Sequence, residues 1–415
     1  MSDRSTRRVV VTGRGVLAPL GDDASTIHQA LLARHTAFSR PSHLDLDRLG
    51  AEVAGNGIPP AAAIDFNARE LLPGKNVRPL DRTGQLTVIA TERALGDAGW
   101  TAEHRADHEV GLVVGTQFGS VRTIAEFDRR GLEAGPKYVK PFDFANSVIN
   151  AAAGQAAIWH DLRGPNATVT GSAPAGLQAI GHAAGLLRRG QADVLLAGGV
   201  EELCFESWYG YWRAGHLADD GVARPFDAER SGCVLGEGAA FVVLDATSGS
   251  TSAGLAEIRG HGNAFDPSRG RDRDRSADAL SRAIRAALDD AGLDADAVDV
   301  VVAGAAGGGV DAAEARALHA TVGDAVPVTA VRGGLGESLG AGGAFQVIAL
   351  IEAMVDGTLP PITGLDTVDP TLPALDLIQE PRKLETSDNG TWIGLATAIG
   401  LDGGASALVV SHPQP

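Results

Sequence analysis

Two turns in this 415-residue sequence put reactive side chain types at the head of an apolar helix. One reads Gly171-Ser172-Ala173-Pro174-Ala175-Gly176, the other Gly336-Glu337-Ser338-Leu339-Gly340-Ala341. A serine hydroxyl at such a turn can accept an acyl group, and a carboxylate whose pKa burial raises can move a proton. However, Ser172 stands in GSAPAG and not in the GxSxG of a hydrolase elbow, so its plainer role is to cap the helix that follows. The two cysteines, Cys204 and Cys233, make no disulfide framework and have no metal-knuckle spacing. Cys204 reads as a structural thiol, no metal site is implied, and a reducing cytoplasm is the expected location. Gly13-Arg14-Gly15 lacks the third glycine of a dinucleotide fingerprint. Among eleven histidines, His182 falls on the first apolar helix and reads as an ordinary helix residue.

Composition narrows the classes. With 35 basic against 52 acidic side chains the formal charge is 35 − 52 = −17, which argues against a nucleic-acid binder. The chain is 44% hydrophobic and only 21% charged, as a large packed core requires. The first residues lack the apolar run of a secretory signal. The most apolar stretch, 340–355, is interrupted by Gln346 and Glu352 and is expected to fall short of a membrane span.

The elements that must hold the two turns occur twice. ATERALGDAGW (90–100) aligns with AIRAALDDAGL (283–293) at six of eleven positions. Each is followed by an apolar strand, VGLVVG (110–115) and VDVVVA (298–303), and further on GEGAAFVV (236–243) matches GGASALVV (403–410). Three matches in the same order indicate two related halves. Each half also has a strand, a tight turn and an apolar helix. One helix carries Leu177, Ile180, Ala184 and Leu187 up to Gly190, the other Ala344, Ile348, Ile351 and Val355 up to Gly357. Small residues all round predict helices buried between two sheets, an α/β layered architecture.

Several segments together resemble the β-ketoacyl synthase family: RRVVVTGRGVLAPLG (7–21), DLRGPN (161–166), RPFDAERSGCVLGEGAAFVVL (224–244) and GESLGAGGA (336–344). The resemblance implies a thiolase-like, duplicated αβαβα layered fold, with an N-terminal half over 1–250 and a C-terminal half over 251–415. It also implies a tight dimer and acyl groups delivered on the phosphopantetheine arm of an acyl carrier protein.

Matched residue by residue, three family positions are degenerate. Ala173 stands where the family has its nucleophilic cysteine, Ala303 where its first histidine falls, counted back from Asp311 in DAAE, and Glu337 where its second histidine falls. Gly400-Leu401-Asp402-Gly403 replaces a GFGG-like gate loop. The resemblance therefore narrows to the chain length factor (KSβ) subunits of type II polyketide synthases, non-condensing partners of an active ketosynthase α subunit. Ala173 replaces the glutamine common among them, which leaves room for a polyene-forming system. By the same resemblance Phe118, Ile124 and Phe127 would bound the substrate tunnel, and Phe142 and Phe144 would lie at the subunit interface. Two other readings stay open: a thiolase-fold acyltransferase using Ser172 or Glu337, and a pure interaction protein of the synthase complex.

Overall fold

The computed structural model describes residues 7–41, 44–53, 57–246, 254–268, 271–385 and 390–413, so the expected 250/251 boundary lies outside the described residues. Ten strands carry the fold: β1 (Val10–Leu17), β2 (Val110–Thr116), β3 (Asn166–Thr170), β4 (Val194–Glu201), β5 (Gly238–Asp245), β6 (Ala256–Phe265), β7 (Val300–Ala303), β8 (Pro327–Ala330), β9 (Thr391–Ile399) and β10 (Gly404–Pro413). The longer helices are α1 (Ala24–Leu32), α2 (Arg82–Asp97), α3 (Val121–Ala134), α4 (Ala151–His160), α5 (Ala175–Arg188), α6 (Phe205–Arg213), α7 (Arg273–Ala291), α8 (Asp311–Val322) and α9 (Gly342–Asp356).

Strand order makes the duplication explicit. The ten strands run β8-β7-β9-β10-β6-β1-β5-β4-β2-β3. Outward from the centre, each half has two antiparallel pairings followed by two parallel ones. The halves meet through a two-residue antiparallel contact, Val10 with Glu257 and Val11 with Ala256. The repeated sequences fall on equivalent elements, 90–100 ending α2 and 283–293 ending α7. Both helices start from an aspartate cap, Asp81 accepting from Gly84 N and Asp272 from Asp274 N, and both stop at a left-handed glycine, Gly99 or Gly292.

Three apolar cores separate the layers. One joins α2 and α4 to the first sheet, one joins α7 and α8 to the second, and the largest surrounds α5 and α9 between them. This is the αβαβα order of a thiolase-like fold. Leu177, Ile180, Leu187, Leu350 and Ile351 are fully buried there, each stabilising the fold by roughly 1.5–3 kcal/mol. Val355 departs from the expected buried face and is 47% exposed, although Ala353 and Met354 in the same last turn of α9 are fully buried. The segment Leu339–Asp356 also corrects the sequence reading. With 18 residues and a mean hydropathy of 1.4 it is long and apolar enough to cross a membrane, yet 89% of it is buried inside the fold.

The middle layer closes at glycines. A Cβ on Gly176 would lie 2.7 Å from Ala344 N, and one on Gly343 would lie 2.8 Å from Leu177 N, so each helix approaches the other's backbone directly. Gly176→Ala is expected to cost about 1–3 kcal/mol by overpacking this crossing. Gly96→Ala, at an exposed position of α2 with open space around it, should instead gain up to about 1 kcal/mol from helix propensity. Denaturant unfolding of the two variants checks the contrast.

Candidate functional site

In both halves a parallel strand feeds a turn that opens a buried helix, and open α/β sheets place their ligand sites at such strand ends. The turn 171–174 heads α5, and the segment 336–338 precedes α9. Together with the β7–α8 loop, the β9–β10 turn and Tyr211 they line a small pocket, with a cavity volume of about 50 Å³. Ala173 is buried in its wall and offers a methyl group only.

Glu337 also lines the pocket, and its carboxylate is committed to donors. Its Oε2 accepts from Arg332 Nη1 at 2.5 Å and its Oε1 from Leu339 N at 2.8 Å. The buried Arg332 guanidinium also donates to Gln346 Oε1 at 2.9 Å. Gln346 in turn donates to the carbonyls of Val302 and Thr397, in β7 and β9. Glu337 thus belongs to a polar network tying the pocket floor to the second sheet, and it is not placed as a free base.

Ala303 ends β7, where it pairs with Ala330 inside the second core. From the loop that follows, Ala306, Gly308, Gly309 and Val310 reach the pocket. Two buried carboxylates of α8 shape that loop. Asp311 accepts from Ala306 N, Gly307 N and Phe226 N, while Glu314 accepts from Gly304 N and Thr397 Oγ1. Burial raises the pKa of both, Glu314 to about 7, in opposition to these hydrogen bonds. The DAAE pattern, used in the sequence only as a counting mark, is the loop's scaffold.

Ser172 corrects the expectation of a capping serine. Pro174 is the N-cap of α5 and makes no side-chain cap bond. The Ser172 hydroxyl donates instead to Asp402 Oδ1 at 2.6 Å, across the pocket mouth. Tyr211, His216 and Cys233 also line the pocket, and the sequence carried no signal for them because they arrive from α6 and the loops after it. Cys204 is buried outside this pocket, and burial pushes its thiol up to about 12. His182 is exposed on α5.

Of the residues expected at a tunnel and an interface, Ile124, Phe127, Phe142 and Phe144 lie away from this pocket, whereas Phe118 adjoins it through a cluster that includes Cys233 and Ala306. Phe118 packs against the cluster around Leu203 and Trp208. Ile124 and Phe127 are on α3, which buries none of its residues, and the Phe127 and Phe144 rings are 6.1 Å apart. Phe142 is 71% and Phe144 64% exposed. Seven of the twelve exposed large hydrophobic residues among those described fall between Leu132 and Ile158. Beside them β3 is a sheet edge with no further strand among the described residues, whereas the equivalent β8 is covered by the short strand Asp376–Leu377. Exposed apolar patches and unpaired sheet edges are the kinds of surface that proteins commonly cover.

Glu202 anchors the start of α3 by accepting from Arg122 N at 3.2 Å. Burial, with Asp81 nearby, pushes its carboxyl from the ordinary 4.5 up to about 8. The folded chain then binds a proton that the unfolded chain releases between pH 4.5 and 8, so this group lowers stability as pH rises through that window. Glu202→Gln should therefore gain stability relative to the parent as pH increases, by at most about 1.4 kcal/mol per pH unit, measured by melting between pH 5 and 8. Glu337→Ala should cost about 3–5 kcal/mol by leaving Arg332 buried and unpaired. A far smaller loss on urea unfolding would contradict the network.

Comparison with known proteins places this geometry. The family models described as beta-ketoacyl synthase, N-terminal domain, and beta-ketoacyl synthase, C-terminal domain, match residues 6–250 and 255–366. The chain is 31% identical to 3-oxoacyl-[acyl-carrier-protein] synthase 2 of Rhizobium meliloti, covering 97% of this chain and 98% of that one. It is 32% identical to the tetracenomycin polyketide synthase ketoacyl synthase beta subunit of Streptomyces glaucescens, with the same coverage. Among solved structures, the ishigamide ketosynthase/chain length factor superposes with a TM-score of 0.88 at 28% identity, over 98% of this chain and 100% of that one. With matches along almost its entire length, the chain belongs to the beta-ketoacyl synthase family.

Proposed function

We propose that this chain is a non-condensing subunit of the chain length factor type. It pairs with an active ketosynthase and helps shape the tunnel that sets polyketide or polyene chain length. The observation that carries this reading is Ala173 at the head of α5, where the family resemblance calls for a nucleophile and the pocket wall has a methyl group. The commitment of Glu337 to Arg332 supports it, as does the likeness to a polyketide synthase beta subunit and to a ketosynthase/chain length factor structure. On this reading the apolar face from Leu132 to Ile158 and the edge of β3 receive the ketosynthase. The growing chain, carried on the phosphopantetheine arm of an acyl carrier protein, is bounded by Phe118, Ile124 and Phe127. A bulky apolar side chain sets pocket depth by sterics.

One observation favours the acyltransferase reading: the Ser172 hydroxyl donates to a carboxylate. A carboxylate alone is a weak base toward an aliphatic hydroxyl, and Asp402 is exposed to water. The two readings separate on co-expression with a ketosynthase α subunit, size-exclusion chromatography and a malonyl-carrier-protein elongation assay. A chain length factor elongates only as the complex. Phe118→Ala or Phe127→Ala should then shift products by at least one two-carbon unit while the complex stays intact. Turnover by the isolated chain that Ser172→Ala abolishes would overturn the proposal.

A further inference from the structure

The turn between β9 and β10 is fastened on both sides. Within it Gly403 N donates to Gly400 O at 3.0 Å and Gly400 N to Gly404 O at 2.7 Å, and its shoulder is held by Asp266 N donating to Gly403 O at 2.8 Å. Toward the pocket, Asp402 Oδ1 accepts from Gly404 N at 3.0 Å and from Ser172 Oγ at 2.6 Å. One oxygen therefore takes both bonds, and the loop's own backbone aims it at the serine. The approach is close enough that a Cβ on Gly400 would lie 1.7 Å from Ser172 Oγ and 3.1 Å from Pro174 Cδ. Leu401, between these fastenings, lines the pocket together with Ser172 and Cys233.

We propose that Ser172 and Asp402 form a bolt that holds the 400–403 turn against the head of α5 and keeps linear acyl chains out of this chain's own pocket. Asp402 is thus a positioning residue: it touches no reacting atom but decides whether the pocket admits a chain. The identity of the excluded ligand rests on the proposed function above, whereas the bolt itself does not.

Cys233, buried in the same pocket, is a built-in reporter, and Cys204, buried in a different one, is its control. The full chain is treated with N-ethylmaleimide and N-dodecylmaleimide, and each thiol is followed by peptide mass spectrometry. Asp402→Ala and Ser172→Ala should each speed Cys233 labelling by at least about tenfold, as expected when a charge-assisted hydrogen bond is lost, with Cys204 unchanged. The dodecyl reagent should label Cys233 only in those variants. Asp402→Asn keeps the accepting oxygen and should behave as the parent. If Asp402→Ala does not fold, Ser172→Ala carries the test alone. An unchanged Cys233 rate in the alanine variants, or Cys204 rising in parallel, overturns the bolt. Because no partner or elongation enters the assay, its failure is distinct from failure of the proposed function.

Discussion

The contact on which the rest depends is the crossing of α5 and α9. Two helices can share one layer between two sheets only if their axes come close, and here Gly176 and Gly343 let each backbone touch the other helix directly. That crossing sets the heads of both helices side by side. The turn 171–174 and the segment 336–338, whose first residues are 336 − 171 = 165 positions apart in sequence, thereby face one pocket. Any side chain at the crossing would move both walls together.

Buried carboxylates then fix the loops that those helices cannot reach. Glu201 at the end of β4 accepts from Gln117 N, Phe118 N and Gly340 N, clasping a loop of the first half to one of the second. Burial pushes it up to about 7 in spite of those donors. Glu237 takes both a bidentate Arg82 and the backbone of Ile64 and Leu203. Part of the acidic excess is therefore internal scaffolding and not a surface field. A carboxylate suits this task because it accepts several backbone N–H groups in different directions.

Features that repeat or follow a period could be read from the sequence. The glycine-closed repeats that end α2 and α7, the strands after them and the glycine stops of α5 and α9 are local patterns, and each fell where the pattern placed it. The site was legible only in its covalent part. Ala173 and Glu337 could be marked as lacking the family chemistry, but what surrounds them could not. Arg332 lies five residues before Glu337 round a turn with no periodic signature, and Gln346 joins them from inside α9. Ser172 was expected to satisfy its own helix. A partner 230 positions away took that hydroxyl instead, and no local rule registers such a competitor. Val355 shows the same limit from the apolar side, since periodicity marks a face but not which of its residues the neighbouring elements cover.

The Arg332–Glu337–Gln346 network also bears on how this lineage can change. A histidine restored at position 337 would strand a buried guanidinium whose other partner, Gln346, carries no charge. A cysteine restored at 173 would meet a neighbouring serine already bound to the opposite loop. Each single change is penalised by side chains already engaged around it, a strong coupling between neighbours in one network. On the proposed function, this coupling entrenches the absence of the family side chains: regaining them would need several concerted substitutions, which selection acting one codon at a time does not readily assemble.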